Sequence, residues 1–183
     1  MPNFIDAALA DALRAVALAR HAAGEFRGAR VGRGARAADI PALRGDAIRW
    51  LEPDDPDPAV QAALARLDAL RLALNRTLYV GLDAFEAHLA CYPPGARYGV
   101  HVDRFRDDDE RLVSVVLYLN RDWREEDRGT LRLYLERAGE PPFEDVAPAG
   151  GTLAVFLADR FAHEVLPATR ERFTLTGWFR RRA

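Results

Sequence analysis

The amino-acid sequence predicts an α+β fold, mainly β: a double-sheet jelly-roll barrel supported on one outer face by N-terminal helices. Two changes of pattern along the 183 residues predict it. Apolar residues recur at helical spacing in two stretches before residue 82, whereas from Asp83 onward short β-rich runs alternate with turn signals. The length suits one domain with its own core. We therefore expect residues 1–183 to form a single unit, with 1–82 as helical support and 83–181 as the β core.

Taken in order, Phe4, Ala8, Leu9, Leu13, Val16, Ala17 and Arg20 lie on one face of a helix predicted over about Phe4–Ala23, ended by Gly24 and Gly28. Residues 27–44 are rich in Gly, Ala and Arg and poor in packing residues. A mobile excursion is expected there, either a plain surface loop or a lid or substrate-gripping arm. LRGDAIRWL reads as a short strand with Ile48 and Trp50 on one face, closed by the acidic linker EPDDPDP. A second helix starts at Pro58 or Ala59 and runs to about Asn75, with Val60, Leu64, Leu67, Leu70, Leu72 and Leu74 as its apolar residues. Eight strands follow, at about Ala84–Tyr92, Gly99–Asp103, Leu112–Asn120, Gly129–Glu136, Phe143–Val146, Thr152–Ala158, His163–Pro167 and Phe173–Arg180.

Composition excludes several classes. A net charge of −2 gives no general affinity for nucleic acid or an anionic membrane. All 26 basic residues are arginine, which reads as coding bias. Asp6 and Asp11 interrupt the start, against a signal peptide, and no apolar run approaches the roughly 18 residues of a membrane span. The single cysteine, Cys91, excludes an internal disulfide and fits a reducing compartment, so a cytoplasmic monomer is expected, with Cys91 as a small buried apolar residue.

The chemistry concentrates in CYPPGARYGVHVD. In an extended chain residues two apart point the same way, so His101 and Asp103 are able to share one ion. His163, opening the run HEVLP after the turn ADRFA, supplies a third ligand once a barrel brings it back. Two histidines and one carboxylate match the facial triad of non-haem iron enzymes, and a tetrahedral zinc site competes. Arg172 lies on the next strand, on the same face as Thr174, Thr176 and Trp178, while Phe173, Leu175 and Phe179 face the helices. A guanidinium aimed into a barrel needs a carboxylate, either from a bound acid or from a neighbour such as Glu171 or Glu164. Tyr118 shares a face with Val116 and Ser114. His88 shares one with Ala90 and Tyr92, toward cavity or core, and His21 is read as solvent-facing on the first helix.

CYPPGARYGVHVD, RLVSVVLYLNRDW followed by GTLRLY, AHEVLPATRERFTLTGWF and, more weakly, LRGDAIRWL together resemble one family over residues 44–180. It is the prolyl 4-hydroxylase branch of the 2-oxoglutarate and Fe(II)-dependent dioxygenases, closest to the hypoxia-inducible-factor prolyl hydroxylases and their bacterial relatives. The resemblance implies a double-stranded β-helix in which His101, Asp103 and His163 bind Fe(II) and Arg172 holds the distal carboxylate of 2-oxoglutarate. It further implies that Tyr118 bonds the same carboxylate, that Tyr92, Thr176 and Trp178 line the co-substrate, and that Arg111 and Tyr98 contact substrate. The implied reaction consumes 2-oxoglutarate and O2, with ascorbate as reductant, releases succinate and CO2, and hydroxylates a prolyl residue in a protein. A translation factor of the elongation factor Tu type is the partner the bacterial relatives point to. The turn from Tyr92 to His101 is one residue shorter than in the animal enzymes, and Val100 stands where they carry a basic residue. Two other readings stay open: an oxygenase of a free amino acid or small metabolite, and a non-oxidative cupin-like metal-binding protein.

Overall fold

The computed structural model describes residues 1–29, 40, 43–103 and 110–181, and most of the segment read as a mobile loop lies outside them. Helix α1 spans Ala7–Ala22 and α2 spans Pro58–Leu78. The β-strands are β1 (Arg27–Gly28), β2 (Ala47–Trp50), β3 (Leu82–Tyr92), β4 (Tyr98–His101), β5 (Arg111–Tyr118), β6 (Leu131–Tyr134), β7 (Phe143–Val146), β8 (Leu153–Leu157), β9 (His163–Val165) and β10 (Arg172–Arg181). They form two antiparallel sheets, six-stranded in the order β1-β2-β3-β10-β5-β8 and four-stranded in the order β4-β9-β6-β7. Neither sheet closes on itself, so the architecture is mostly β with two helices, and one strand, β1, joins the nine expected. β1 escaped the sequence pattern because two residues, Arg and Gly, carry no alternation. Its pairing comes from β2, with Arg27 opposite Ile48 and Gly28 opposite Ala47, 21 and 19 residues further on (48 − 27 = 21; 47 − 28 = 19).

Both helices start where an aspartate accepts from the first free N–H groups. Asp6 accepts from Leu9 N at 2.8 Å, which sets the start of α1 at Ala7 rather than Phe4; the N–H groups of Phe4 and Ile5 turn away to Gly151 O. Asp57 accepts from Ala59 and Val60, with Pro58 opening α2. α2 runs past Asn75 to Leu78, where Tyr79 takes a left-handed conformation (φ 54°). Each helix buries three residues at i, i+3 and i+7: Ala10, Leu13 and Ala17 in α1, Val60, Ala63 and Leu67 in α2.

These faces pack on one side of the large sheet. Leu89 and Cys91 of β3, Val113, Val115 and Leu117 of β5, and Phe173, Leu175 and Phe179 of β10 meet them there in the main core. Alternation sends the intervening residues to the other side. Ala90, Tyr92, Val116, Tyr118, Ala154 and Phe156 form a second cluster with Leu131 and Val165 of the small sheet. The site therefore lies between the sheets, and the helices stiffen the wall behind it. At the centre of that wall β10 is paired on both sides, with Arg172 opposite Tyr92 and Thr174 opposite Tyr118. Gly177 lets β3 approach: a Cβ there would lie 2.5 Å from Glu86 O. Among the described residues no helix is long and apolar enough to cross a membrane.

Candidate active site

The small sheet brings the two histidines together. β4 and β9 pair with His101 directly opposite His163. Each ring is held by its own strand: His101 Nδ1–H donates to Gly99 O at 2.8 Å and His163 Nδ1–H to Phe161 O at 3.1 Å. A nitrogen that donates to a carbonyl carries the proton, so each Nε2 is left with its lone pair free. Those two nitrogens face one carboxylate, His101 Nε2 at 3.6 Å from Asp103 Oδ1 and His163 Nε2 at 3.5 Å from Asp103 Oδ2. All three ligand atoms lie within 4.8 Å of one another. Tyr98 stacks on His101 at 3.5 Å between centroids and fixes its plane.

Strand alternation alone does not put Asp103 there, contrary to the sequence expectation. β4 ends at His101, and Asp103 is positioned beyond it by two other contacts. Its N–H donates to Ala158 O at 3.1 Å, and its Oδ2 accepts from Ser114 Oγ on β5 at 2.6 Å. Burial by itself raises the carboxyl; the bond to His101, the field of both imidazoles and the Ser114 hydroxyl more than reverse this and hold it well below the usual carboxylate range. His163 is pushed down to about 4, chiefly by burial, and so stays neutral at ordinary pH. An ionised carboxylate and a neutral His163 imidazole are protonation states a cation needs. Ser114 was the ligand-holding residue that sequence reasoning missed. Its signal was a hydroxyl on an inward strand face otherwise apolar.

These residues open into a cavity of about 810 Å³ between the sheets. Every other residue the sequence singled out for the site lines it except Tyr118. Arg172 is 1% exposed, with its guanidinium carbon 5.0 Å over the Tyr92 ring and 5.2 Å over the Tyr118 ring. Its Nε and the Tyr118 hydroxyl are both buried without a hydrogen-bond partner among the described residues. Among the described residues no carboxylate pairs with Arg172; Glu171 is exposed at the surface and Glu164 accepts from Tyr134. A buried cation lacking a counter-charge marks a place for an anionic ligand. Toward the mouth, Arg111 donates to Glu86 at 2.6 Å and lies 3.6 Å over the Trp178 ring. Arg44 pairs twice with the buried Asp46 and lies over Tyr98. Thr176 sits between His88 and Val116 in register, and His88, 2% exposed, is pushed down to about 3 by burial.

Fold and site together define a two-sheet β protein that sets a metal-competent His–Asp–His group beside a buried anion anchor. Residues 87–180 match the 2OG-Fe(II) oxygenase superfamily, and the chain belongs to it. It is 35% identical over 143 residues to human Egl nine homolog 1, covering 75% of this chain and 33% of that protein, so it spans about a third of that curated relative's length. Among solved structures it is similar to a Pseudomonas putida prolyl-4-hydroxylase, with TM-score 0.88 and 46% identity, covering 100% of this chain and 91% of that one. It is similar too to a Trichoplax adhaerens prolyl hydroxylase in complex with a hypoxia-inducible-factor oxygen degradation domain peptide, with TM-score 0.88 and 28% identity, covering 98% and 81%.

The superfamily takes its name from Fe(II) and 2-oxoglutarate, and the residues present fit both. Two imidazole nitrogens and a carboxylate suit an octahedral ferrous ion with positions to spare. The unpaired Arg172 Nε and Tyr118 hydroxyl suit the far carboxylate of a dicarboxylic acid.

Proposed function

We propose that the chain is a 2-oxoglutarate- and Fe(II)-dependent dioxygenase that hydroxylates a prolyl residue in a polypeptide. The observation that carries the reading is the pairing, in one cavity, of a His–Asp–His group with a buried arginine that has no carboxylate partner among the described residues. The relatives are named prolyl hydroxylases, and one is described with a peptide bound, which favours a prolyl target. In this reading 1–183 is a single oxygenase domain, the two open sheets are the halves of a jelly roll, and 83–181 is its core.

His101 and His163 hold the metal through Nε2 and Asp103 holds it through its carboxylate, with Ser114 keeping that carboxylate turned inward. The bound metal supplies activation of dioxygen, at the expense of 2-oxoglutarate, which leaves as succinate and CO2. Arg172 and Tyr118 fix the distal carboxylate, and Tyr92, Thr176 and Trp178 wall the co-substrate and exclude water. Arg111 and Tyr98 meet the substrate at the mouth. Trp50 and Val102, 45% and 44% exposed, line the cavity and give it apolar surface suited to an extended chain rather than a small polar metabolite. A translation factor of the elongation factor Tu type is the first candidate substrate.

The test is 2-oxoglutarate turnover by anaerobically purified protein with iron and ascorbate, with His163→Ala and Arg172→Ala as controls. Both variants should lose succinate formation, and His163→Ala should also lose iron. If both match the wild type in iron content and succinate, the reading fails. A one-oxygen mass gain on proline in a treated lysate then names the substrate.

A further inference from the structure

We propose that His21, Cys91 and Glu171 form a second metal site, for a divalent cation of the zinc class, on the face of the large sheet opposite the cavity. Their ligand atoms (imidazole nitrogen, thiol sulfur and carboxylate oxygen) all lie within 4.8 Å of one another. They come from three separate parts of the chain: the last turn of α1, the C-terminal end of β3 and the residue before β10. Cys91 stands opposite Phe173 in the β3–β10 register, and the His21 ring sets its edge against Phe173 at 6.2 Å and Phe26 at 5.2 Å. The aromatic contacts hold the imidazole over the sulfur without using either ring nitrogen. Glu171 makes no ion pair among the described residues.

The donor set selects the cation. A thiolate with an imidazole and a carboxylate suits zinc, which takes all three ligand types and in three-residue sites keeps a fourth position open. With Zn–S and Zn–N lengths of about 2.3 and 2.0 Å, the ligand atoms of a tetrahedral ion lie roughly 3.5 Å apart. Closing the group needs a shift of about 1 Å, within reach of an exposed Glu171 and a histidine at a helix end. Burial, with Glu171 beside it, pushes the Cys91 thiol up to about 12, so the ion must displace the thiol proton to solvent as the sulfur–metal bond forms. Arg14 lies over the Phe173 ring with a buried Nη1 that has no hydrogen-bond partner, and the new thiolate gives it a negative neighbour. Cys91 and Glu171 immediately precede Tyr92 and Arg172. An ion here grips the wall from behind, one residue from the groups that line the anion anchor.

The probe is Co²⁺, titrated anaerobically into reduced, metal-free protein. A near-ultraviolet thiolate-to-cobalt band should grow in and saturate. Because the chain has a single cysteine, that band reports Cys91 alone, and the His–Asp–His group cannot produce it. Cys91→Ala should abolish the band and lower bound cobalt by one ion per chain, whereas His163→Ala should keep it. Glu171→Gln and His21→Gln, whose altered groups lie at the surface end, should each weaken the band's affinity by about 10–100-fold. The proposal is overturned if the wild type shows no band at saturating cobalt. It is equally overturned if the band persists with unchanged affinity in both the Glu171 and His21 variants, which also decide the matter should Cys91→Ala not fold.

Discussion

Replacing Arg172 with methionine should make the ligand-free protein more stable while destroying its grip on 2-oxoglutarate. The guanidinium is 1% exposed, its Nε has no partner, and the Tyr92 and Tyr118 rings offer only their faces at 5.0 and 5.2 Å. Two such contacts return about 0.5–2 kcal/mol each, less than the several kcal/mol needed to bury an unpaired charge. Apolar replacement of buried charges is commonly neutral or stabilising by about 1–4 kcal/mol, so we expect Arg172→Met to gain ~1–3 kcal/mol in urea unfolding without ligand. Binding moves the other way. Two charge-assisted hydrogen bonds of roughly 1.5–3 kcal/mol each are lost, about 3–6 kcal/mol together, which weakens 2-oxoglutarate by roughly 10²–10⁴-fold. At a ligand concentration near 100 times the wild-type dissociation constant, the anaerobic, metal-loaded wild type gains about 2.7 kcal/mol and the variant at most about 0.4 kcal/mol. A variant less stable than wild type without ligand, or one stabilised equally by 2-oxoglutarate, would refute the assignment of Arg172 as an unpaired anchor.

Three further outcomes are expected. Ser114→Ala removes the hydroxyl that bonds Asp103 at 2.6 Å and should lower iron affinity about 10–100-fold in a chelator competition, with secondary structure unchanged. Asn120→Ala leaves the Pro148 carbonyl and the Phe173 N–H, both bonded to its side chain at 2.8 Å, unpaired in the interior; urea unfolding should show a loss of about 2–4 kcal/mol. His88 and His163 are held below their ordinary value of 6.5, to about 3 and about 4, chiefly by burial, so below pH 6.5 the unfolded chain takes up protons that the native state refuses. Stability of the metal-free protein should thus fall by about 2 kcal/mol per histidine between pH 7 and 5, and His88→Leu should recover about half of the total; a flat profile would contradict the burial of both rings.

Most of the scaffold was legible because alternation survives in long strands. On β10 the division into Arg172, Thr174, Thr176 and Trp178 on one face and Phe173, Leu175 and Phe179 on the other matches the two clusters observed. Legibility failed where a contact is set by something distant in sequence. Nothing near Asp103 announces that Ser114 and Ala158 will hold it, since one lies on the facing sheet and the other past the end of β8. Asp6 as the start of α1 was open to a capping rule and was passed over for an apolar Phe4 that belongs to the preceding turn. His21, read as facing solvent, is exposed, and its contacts with the Phe26 and Phe173 rings are what a helical wheel alone does not disclose.

The register that sets His101 opposite His163 ties ion affinity to how two short strands are aligned. A slip of one residue between β4 and β9 would turn one imidazole out of the cavity, so an ion held by both rings disfavours every misaligned pairing of the smaller sheet. Through Asp103 and Ser114 the same ion is fastened to β5 in the larger sheet. Held by these residues, an ion would work as a rivet between two plates that share no hydrogen-bonded ladder among the described residues. Amide exchange should register this as β4, β6, β7 and β9 opening independently of the larger sheet without metal, and together with it once the ion is bound.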